Sequence, residues 1–525
     1  MSDRALASSP FLKKQSTART TVLTFASVLG GAALAFGTTL YVGNQIGEKG
    51  AGLFFQIMAF FSIASVFVTL GADTGLVRTL AAQRAVGTAQ HLRRTAAIAG
   101  IPVAGFAALI GGVLWLAAAA LEEALGIPGL AQVIQVLALL LVPAALMNLG
   151  FGAMRGMGRV ASFSGIQNVL LPALRLGAVA WAIALGGSLL QLATAYALPV
   201  LLAAALAGVA AWLAITRFSS AENYPAPGPK AVPEPDTPVR KFWGFSSARG
   251  VSALVETLLE WIDVIAVAVF LGPAAAGIYG AVNRCVRLGV MLEHTARLVT
   301  GPMLSACLAV GDHAEAKRLF SNTAKLLVWC AWPFYLTLAI FGEGVLSLFG
   351  AGFARGALPL AVISLVMMLV VSAGGVQSVL LMGGKSRWQL GNKLSALAVA
   401  LLFNLWLVPL WGLMGAITAW SLAALTDCAL ATVQVARSLR LGAPVRELIP
   451  LAALSLLIFG AGGLLWRVLF EPSLLVAALH LAVALPIYVL VCVKFGRRLG
   501  LEAVLSQLMQ GVRKRRAPAA DRAAG

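Results

Sequence analysis

The sequence predicts an all-α polytopic membrane protein of about fourteen transmembrane helices: two parallel six-helix repeats and two C-terminal helices. Three observations predict this fold class. Of the 525 residues, 60% are hydrophobic and only 11% are charged, whereas soluble domains carry about 25% charged residues. Apolar runs of about twenty residues, long enough to cross a bilayer, recur along the chain. The third observation is an internal repeat with a spacing of 225 residues.

Charges, prolines and glycines separate the apolar runs and set the element boundaries. The first run is too long for the core of a signal peptide and is followed by others, so we predict an uncleaved helix. The predicted segments lie at about 20–44, 51–82, 95–121, 131–154, 160–185, 188–216, 242–271, 277–308, 325–342, 357–382, 390–410, 413–436, 449–468 and 474–493.

Basic residues predict the orientation. With a cytoplasmic N-terminus, nearly all basic loop residues lie inside, and the outside loops hold only Lys49, Arg355 and Arg467. By the positive-inside rule, both termini are predicted to be cytoplasmic. This topology explains the net charge of +19 without nucleic acid, and the basic tail is expected to lie on anionic lipid headgroups. The cysteines lie in apolar runs without C-x-x-C spacing, so no disulfide, metal or cofactor is predicted.

Four landmarks keep one register across two halves of the chain. Three of them are 225 positions apart: Gly52 and Gly277, Trp181 and Trp406, and Gly187 and Gly412. The fourth is a pair of similar loops 224 positions apart, AVGTAQHLRR (85–94) and AVGDHAEAKR (309–318). Six helices per repeat is an even number, so both repeats enter from the same side and are parallel, with a substrate site expected between them. Residues 15–217 should superpose on 242–440 by a rotation of about 180° around the membrane normal. Two such halves predict a transporter.

The repeats and the segments between them define the predicted domains. A Pro-rich stretch, ENYPAPGPKAVPEPDTP, lies between the repeats and is typical of an extended linker. The domains are a cytoplasmic N-tail (1–19), an N-lobe (20–217), a cytoplasmic linker (218–241), a C-lobe (242–440), helices 13 and 14 (441–493) and a basic cytoplasmic tail (494–525).

Several motifs resemble one known superfamily. They are LGADTGLVRTLA (70–81), LGPAAAGIYGAVNRCVRL (271–288), LFGAGFARGALPL (348–360) and LVPLWGLMGAITAWSLA (407–423). In their order and spacing, over about residues 15–440, the chain resembles the multidrug/oligosaccharidyl-lipid/polysaccharide (MOP) exporters. The GLVR ending and the count of fourteen helices are more similar to the polysaccharide flippases than to drug extruders. The resemblance implies a bacterial inner-membrane flippase that moves an undecaprenyl-diphosphate-linked oligosaccharide outward by alternating access.

Ionisable residues inside the apolar runs are the candidate site residues. Each would cost about 2.5–3.5 kcal/mol at mid-bilayer if it faced lipid, so most must face a wet cavity or one another. They are Arg175, Arg249, Glu256, Glu260, Asp263, Arg284, Arg287, Glu293, Arg297 and Asp427.

The acids of the seventh segment, Glu256, Glu260 and Asp263, share one helix face. We predict a turn at about 272–276 between the seventh and eighth segments, which would place Asp263 level with Arg284 and Glu260 level with Arg287. Two ion pairs are therefore predicted. They would either form part of a substrate cavity or only hold the two helices together.

The functional interpretation assigns two sets of residues. Arginines match diphosphate oxygens bidentately, and the predicted substrate-binding residues are Arg284, Arg287, Arg175, Arg78, Arg249 and Arg297. Acids can bind a coupling H⁺ or Na⁺, and the predicted ion-coupling residues are Glu256, Glu260, Asp263 and Asp427. Arg284 and Arg287 also resemble the cavity-lining arginine of the superfamily.

Structural alternatives stay open for several of these residues. Arg78 lies close enough to a helix end to snorkel, and Glu293 and Arg297 could neutralise each other at i, i+4. Asp73 could cap a helix, and His294 could be a packing residue. Asp427 has no obvious basic partner in the sequence.

Enzyme chemistry is not predicted. The stretch MGGKS fails as a phosphate loop because Val379 stands where the first glycine is required. Expected partners are the lipid-linked glycan, membrane lipids, H⁺ or Na⁺ and a polysaccharide polymerase, with the chain a monomer that binds no nucleic acid. One other function stays open, a cation-coupled multidrug or metabolite antiporter of the same superfamily. A membrane scaffold for glycan enzymes would not explain the charges inside the apolar runs.

Overall fold

The structure is a computed structural model that describes residues 17–86, 91–125, 128–219, 239–309, 312–383, 385–442, 444–496, 499 and 501. Within these residues it contains helices and no strand. The α-helices are α1 (Thr17–Thr69), α2 (Ala72–Val86), α3 (Leu92–Leu125), α4 (Leu130–Leu139), α5 (Leu141–Gly156), α6 (Val160–Ser164), α7 (Leu171–Ala184), α8 (Leu189–Ala197), α9 (Pro199–Ser219), α10 (Val239–Leu271), α11 (Pro273–Ala309), α12 (His313–Leu346), α13 (Ala357–Ser372), α14 (Val376–Met382), α15 (Ser386–Trp411), α16 (Leu413–Ser438), α17 (Val445–Ser455), α18 (Gly462–Leu469) and α19 (Leu474–Lys494).

Among the described residues, eleven helical stretches are long and apolar enough to cross a membrane. One of them, Ala26–Thr69, covers two predicted segments, because α1 continues past a non-helical Gly47 with φ 66°. The helices α10 and α11 are the seventh and eighth predicted segments, and their charged side chains keep them out of that count. All fourteen predicted segments are helical, and the prediction of a polytopic all-α membrane protein is confirmed.

The second and the tenth predicted segments are interrupted by residues with positive φ angles. The second, predicted as one helix over 51–82, is interrupted between α1 and α2 by Leu70 and Gly71, whose φ angles are 54° and 69°. A β-carbon on Gly71 would collide with the backbone of Gly250 in α10. The close contact between this break and α10 therefore requires glycine. The tenth segment is interrupted by Gly374 and Gly375, both with φ 72°.

A proline accompanies a change of helix type in the fifth segment. A π-helix over Gly165–Leu170 separates α6 from α7, and Pro172 follows it in the first turn of α7. Proline has no N–H to donate, so the hydrogen-bond register shifts where it enters the helix.

The helix α12 is longer than predicted. The apolar run predicted 325–342, but the helix starts at His313, because the Asp312 carboxylate accepts a hydrogen bond from the Glu315 N–H at 3.0 Å. This N-cap stabilises a polar first stretch that hydropathy does not detect.

The three C-terminal helices α17, α18 and α19 contact α12. At one end, the Lys325 ammonium lies 2.6 Å from a Glu447 carboxylate oxygen that also pairs with the Ser321 hydroxyl. At the other end, the Arg467 guanidinium donates to the carbonyl of Ile340 at 3.1 Å. The next residue, Phe341, has non-helical angles, so arginine satisfies a carbonyl at a kink.

The chain divides into two compact units. Unit 1 contains the chain up to Gln45 together with Ile57–Thr257, and unit 2 contains Ile46–Gln56 together with the chain from Leu258 onwards. The predicted lobe boundaries stay a prediction. Most of the predicted linker (220–238) and most of the basic tail (502–525) lie outside the described residues, as do parts of both repeated loops.

Candidate functional site

The helices α10 and α11 carry the strongest candidates, and the turn between them sets the level of each charge. The turn is the single residue Gly272, with φ 85°, so the predicted turn at 272–276 was too long. Asp263 lies nine residues before Gly272 and Arg284 lies twelve after it. At 1.5 Å per residue, the two residues differ by about 4.5 Å in distance along their helices from the turn.

The predicted ion pair between Glu260 and Arg287 is confirmed. The Arg287 Nη1 atom donates to Glu260 Oε1, and its Nε approaches Asn283 Oδ1 at 3.4 Å. Both charged side chains are 36% exposed, so the pair lies at the surface of unit 2 and not within its core. A polar ligand could therefore reach it. The roles of both residues in binding and coupling stay predictions.

In this structure Asp263 and Arg284 are each held by other groups, and their pairing in at least one state of the protein stays a prediction. Asp263 accepts a hydrogen bond from the Asn404 amide at 2.6 Å, and the Arg284 guanidinium lies 5.2 Å from the centre of the Trp261 ring. It also lies 6.0 Å from the Phe55 ring centre. Glu260 and Arg287 differ in level by the same three residues and still pair, so direction decides the outcome. Residues three apart on a helix differ by about 60° in direction, so Asp263 faces α15 when Glu260 faces α11.

Asp263 is a buried carboxylate whose observed partner is neutral. Asp263 and Asn404 are each 2% exposed, and the Asn404 amide also donates to the carbonyl of Ala400 at 2.8 Å. Nearby, Leu259 and Ile262 of α10 pack on an apolar cluster of α15 and α16. This packing holds α10 against α15, which brings the carboxylate and the amide together.

The arginines predicted in the first repeat lie on aromatic rings. The Arg175 Nε donates to the carbonyl of Tyr196 at 3.1 Å, and its guanidinium lies 4.0 Å from the centre of that ring. The Arg78 guanidinium lies 4.5 Å from the Phe245 ring centre. These cation–π contacts stabilise the charges without neutralising them. Arg78, Arg175 and the partly buried Arg249 all belong to unit 1.

Two further candidates have a clear outcome in the structure. Asp427 does have a basic partner, contrary to the sequence interpretation, because the Lys393 ammonium lies 2.7 Å from its Oδ2. Asp73, the candidate cap, forms an ion pair with Arg155 at 3.2 Å. Glu256 is exposed on α10 and forms no ion pair with a described residue. The side chain of Arg297, like that of His294, lies outside the described residues.

Sequence reasoning missed the neutral partners of the candidate charges. Asn404 is an amide within an apolar run, and Tyr196 and Trp261 are aromatic residues of such runs. A search for ionisable groups alone does not select them. The signal for Asn404 was present, because an amide in a membrane span needs a partner as a charge does.

Comparisons with known proteins agree with this architecture. The family model described as "Polysaccharide biosynthesis protein" matches residues 17–307, more than half of the chain. A search of curated proteins finds no match to the chain.

Solved structures of the same fold are found at low sequence identity. The lipid II flippase MurJ, in an inward closed conformation, is 10% identical with a TM-score of 0.68, over 92% of this chain and 100% of that one. An inward-facing multidrug resistance MATE family transporter of the MOP superfamily is 15% identical with a TM-score of 0.57, over 78% of this chain and 95% of that one. These similarities show the fold, and the resemblance to the MOP superfamily is confirmed.

Proposed function

The chain belongs to the polysaccharide biosynthesis protein family, and from this we propose that it is a flippase for an undecaprenyl-diphosphate-linked oligosaccharide. It would move the lipid-linked glycan from the cytoplasmic to the outer leaflet of a bacterial inner membrane, with both termini in the cytoplasm. Its multi-pass helical architecture and its fold, shared with a lipid II flippase, support a membrane transporter in preference to an enzyme.

One observation carries the proposal: Arg284 and Arg287 lie one turn apart on α11, a helix predicted to span the membrane. Aromatic rings hold Arg284 and a carboxylate holds Arg287, so both guanidinium groups are positioned before any substrate arrives. A guanidinium presents a planar fork of donors that matches two phosphate oxygens. The pair could thus replace part of the hydration of a diphosphate.

The Glu260 carboxylate gives the site a mechanism of exchange. In the structure Glu260 accepts a hydrogen bond from the Arg287 guanidinium, and an incoming diphosphate would compete for the same N–H donors. Substrate binding would then release Glu260, which could take up a proton. Arg175, Arg78 and Arg249 of unit 1, with Arg297, complete the proposed substrate-binding set, and Glu256 completes the acids of α10.

A second candidate function, cation-coupled antiport of a drug or metabolite, is favoured by a different observation. Asp263 is a buried membrane carboxylate held by a neutral amide. Such a group is a candidate for binding a proton or a metal cation. Asp427, paired with Lys393, would be a weaker coupling group because its charge is already balanced.

Complementation separates the two functions. A flippase-null strain would receive Arg284→Ala, Arg287→Ala, both together, or Arg284→Lys, at matched protein levels, and surface polysaccharide would be measured. The proposal expects loss of polysaccharide with each alanine variant and partial recovery with lysine, which keeps the charge and loses the fork. Arg318→Ala is the control, because this arginine of α12 is 60% exposed and pairs with Glu315 on the same helix.

Normal polysaccharide from the Arg284→Ala, Arg287→Ala double variant would reject the flippase site. If Asp263→Asn then removed proton- or sodium-driven efflux of a toxic cation while polysaccharide stayed normal, the antiporter would be the better conclusion.

A further inference from the structure

One side of α3, in unit 1, is apolar and exposed along most of its length. Ile101 and Leu116 are 73% and 84% exposed, and Leu109 between them is exposed as well. At 100° per residue the three side chains lie within about 80° of one another around the helix. The helix is long and apolar enough to span a membrane. A contiguous apolar surface of this kind marks a place where lipid or another protein binds.

The corresponding face of unit 2 is covered by the chain itself. The two similar loops are 224 positions apart, and this spacing makes Ile101 the counterpart of Lys325 in α12. In the same way, Leu116 corresponds to Ile340. Both counterparts are buried, because α17, α18 and α19 pack on this side of α12. The face of α3 thus lacks the cover that its counterpart in unit 2 has.

A basic side chain on an aromatic ring marks one end of the exposed face. The Arg93 guanidinium, at the start of α3, lies 5.3 Å from the centre of the Trp212 ring of α9, and both side chains are exposed. The ring holds the guanidinium in place without neutralising it, so the N–H groups can still bind an anion. The acids of α3, Glu122 and Glu123, lie at its opposite end. This end of the face is therefore complementary to a negative charge.

The helix α9 continues the apolar surface beside α3. Both helices pack on α5, and Leu202 of α9 is exposed as Ile101 is. A β-carbon added to Gly208, one turn before Trp212, would have nothing within 4 Å. One leaflet of a bilayer has an apolar depth of about 15 Å, which is about ten residues of helix. A lipid whose headgroup lies at Arg93 would therefore reach the level of Ile101 and Leu202.

We propose that this face of α3 and α9 binds one acidic phospholipid, with the headgroup phosphate on Arg93 and an acyl chain along Ile101. Such a lipid matches both parts of the surface, because its net negative charge pairs with the guanidinium and its chains cover the apolar side chains. A zwitterionic lipid covers the same apolar side chains but carries an ammonium group that offsets the attraction of its phosphate. In unit 1 the lipid takes the place that α17, α18 and α19 take in unit 2.

The site is independent of the proposed flippase function, because none of the proposed substrate-binding residues lies on α3 or α9. It is also separate from the basic tail, which is expected to attract acidic lipids without a defined position. The readout is accordingly the selectivity of lipid binding to the purified protein, and not transport.

The test is a titration of the purified full-length chain in detergent with phosphatidylglycerol or with phosphatidylcholine of the same acyl chains. We expect the midpoint of thermal unfolding to rise saturably with phosphatidylglycerol and less with phosphatidylcholine, because a bound ligand stabilises the folded state. Arg93→Ala should raise the half-saturating phosphatidylglycerol concentration at least fivefold. Trp212→Leu should raise it at least twofold, because the guanidinium is then no longer held by the ring.

Arg217→Ala is the matched control. This exposed arginine of α9 lies about 140° around the helix from Trp212, so its removal subtracts the same charge from another side of the same helix. Its half-saturating concentration should stay within twofold of the wild-type value. Equal weakening by Arg93→Ala and Arg217→Ala would overturn the proposal, because general surface charge would then attract the lipid. Equal responses of the wild-type chain to the two lipids would also overturn it.

A second experiment tests whether another copy of the chain covers this face. Ile101→Cys in native membranes should give no cross-linked dimer with a thiol oxidant beyond that of the wild-type chain, because lipid separates the copies. A dimer specific to Ile101→Cys would show that a second copy of the chain occupies the face, and would overturn the proposal.

Discussion

Gly52 and Gly277, which lie 225 positions apart, contact each other reciprocally. A β-carbon on Gly52 would collide with the carbonyl of Pro273, and one on Gly277 would collide with the carbonyl of Glu48. Glu48 and Pro273 are themselves 225 positions apart. In a two-fold arrangement, a contact between i and j is repeated between their mates, so these glycines have the geometry expected close to an axis relating the repeats.

This contact predicts that replacing either of these two glycines destabilises the protein, while replacing a glycine elsewhere in α1 does not. Gly52→Ala and Gly277→Ala should each destabilise the protein by about 1–3 kcal/mol, because the added methyl overpacks a backbone contact. Gly37→Ala in α1 is the matched control, since nothing lies within 4 Å of its added β-carbon. There, alanine should be neutral or stabilising, because it favours helix. The midpoint of thermal unfolding in detergent measures all three, and equal midpoints would contradict the reciprocal contact.

The Glu260–Arg287 pair predicts non-additive losses. Glu260→Gln and Arg287→Gln should each lower stability, and the double variant should lose less than the sum, with a coupling of about 0.5–3 kcal/mol. The reason is that removing one partner leaves a charge of the pair unbalanced. A double-mutant cycle on thermal unfolding tests this, with Glu315→Gln and Arg318→Gln as the exposed reference pair. Strict additivity would show that the two charges are independent in solution.

The hydrogen bond between Asp263 and Asn404 predicts that replacing the amide by an apolar side chain of similar size lowers the stability of the protein. Asn404→Leu should cost about 1–3 kcal/mol, because it removes the donor to a carboxylate that is 2% exposed. The double variant Asp263→Asn, Asn404→Leu should recover part of the loss, because a neutral amide costs less to bury than a carboxylate. If Asn404→Leu unfolds at the wild-type temperature, this hydrogen bond does not contribute to stability.

The Lys325–Glu447 pair predicts how the C-terminal helices are held on α12. Glu447→Gln should destabilise by about 1–3 kcal/mol, less than the 3–5 kcal/mol typical of fully buried pairs, because the Glu447 side chain is 48% exposed. Lys325→Met combined with Glu447→Gln should restore stability, because no buried ammonium is then left without a counter-charge. The protease sensitivity of the connection before α17 measures how readily the C-terminal helices detach from α12. Unchanged sensitivity in Glu447→Gln would contradict a role in holding these helices.

Apolar runs were sufficient to predict the membrane helices, because the bilayer imposes one length and one polarity on every span. The same reasoning did not predict the polar start of α12, where an Asp312 cap extends the helix beyond the apolar run. It also missed the breaks at Leu70–Gly71 and Gly374–Gly375, because a glycine in a small-residue run does not reveal its backbone angles.

The candidate site was predictable in part for a related reason. Counting residues from the turn placed Glu260 and Arg287 near one level, and the two do pair, although the short turn at Gly272 leaves them three residues apart in level. The partner of a side chain also depends on which helix packs against its face, and counting residues along the sequence does not reveal that helix. Asp263 was therefore paired with Arg284 from the sequence, while α15 supplies Asn404 in the structure.

The membership of the two compact units has a consequence for how such a chain could have arisen. By the predicted lobe boundaries, Ile46–Gln56 of the N-lobe belongs to unit 2, and residues 242–257 of the C-lobe belong to unit 1. Each predicted repeat thus contributes a segment to the other's unit, which is the relationship found in domain-swapped dimers. A single ancestral repeat would have completed its folded unit only by pairing with a second copy. Fusion of two copies would then have made an obligatory dimer into one chain, free to let its halves diverge.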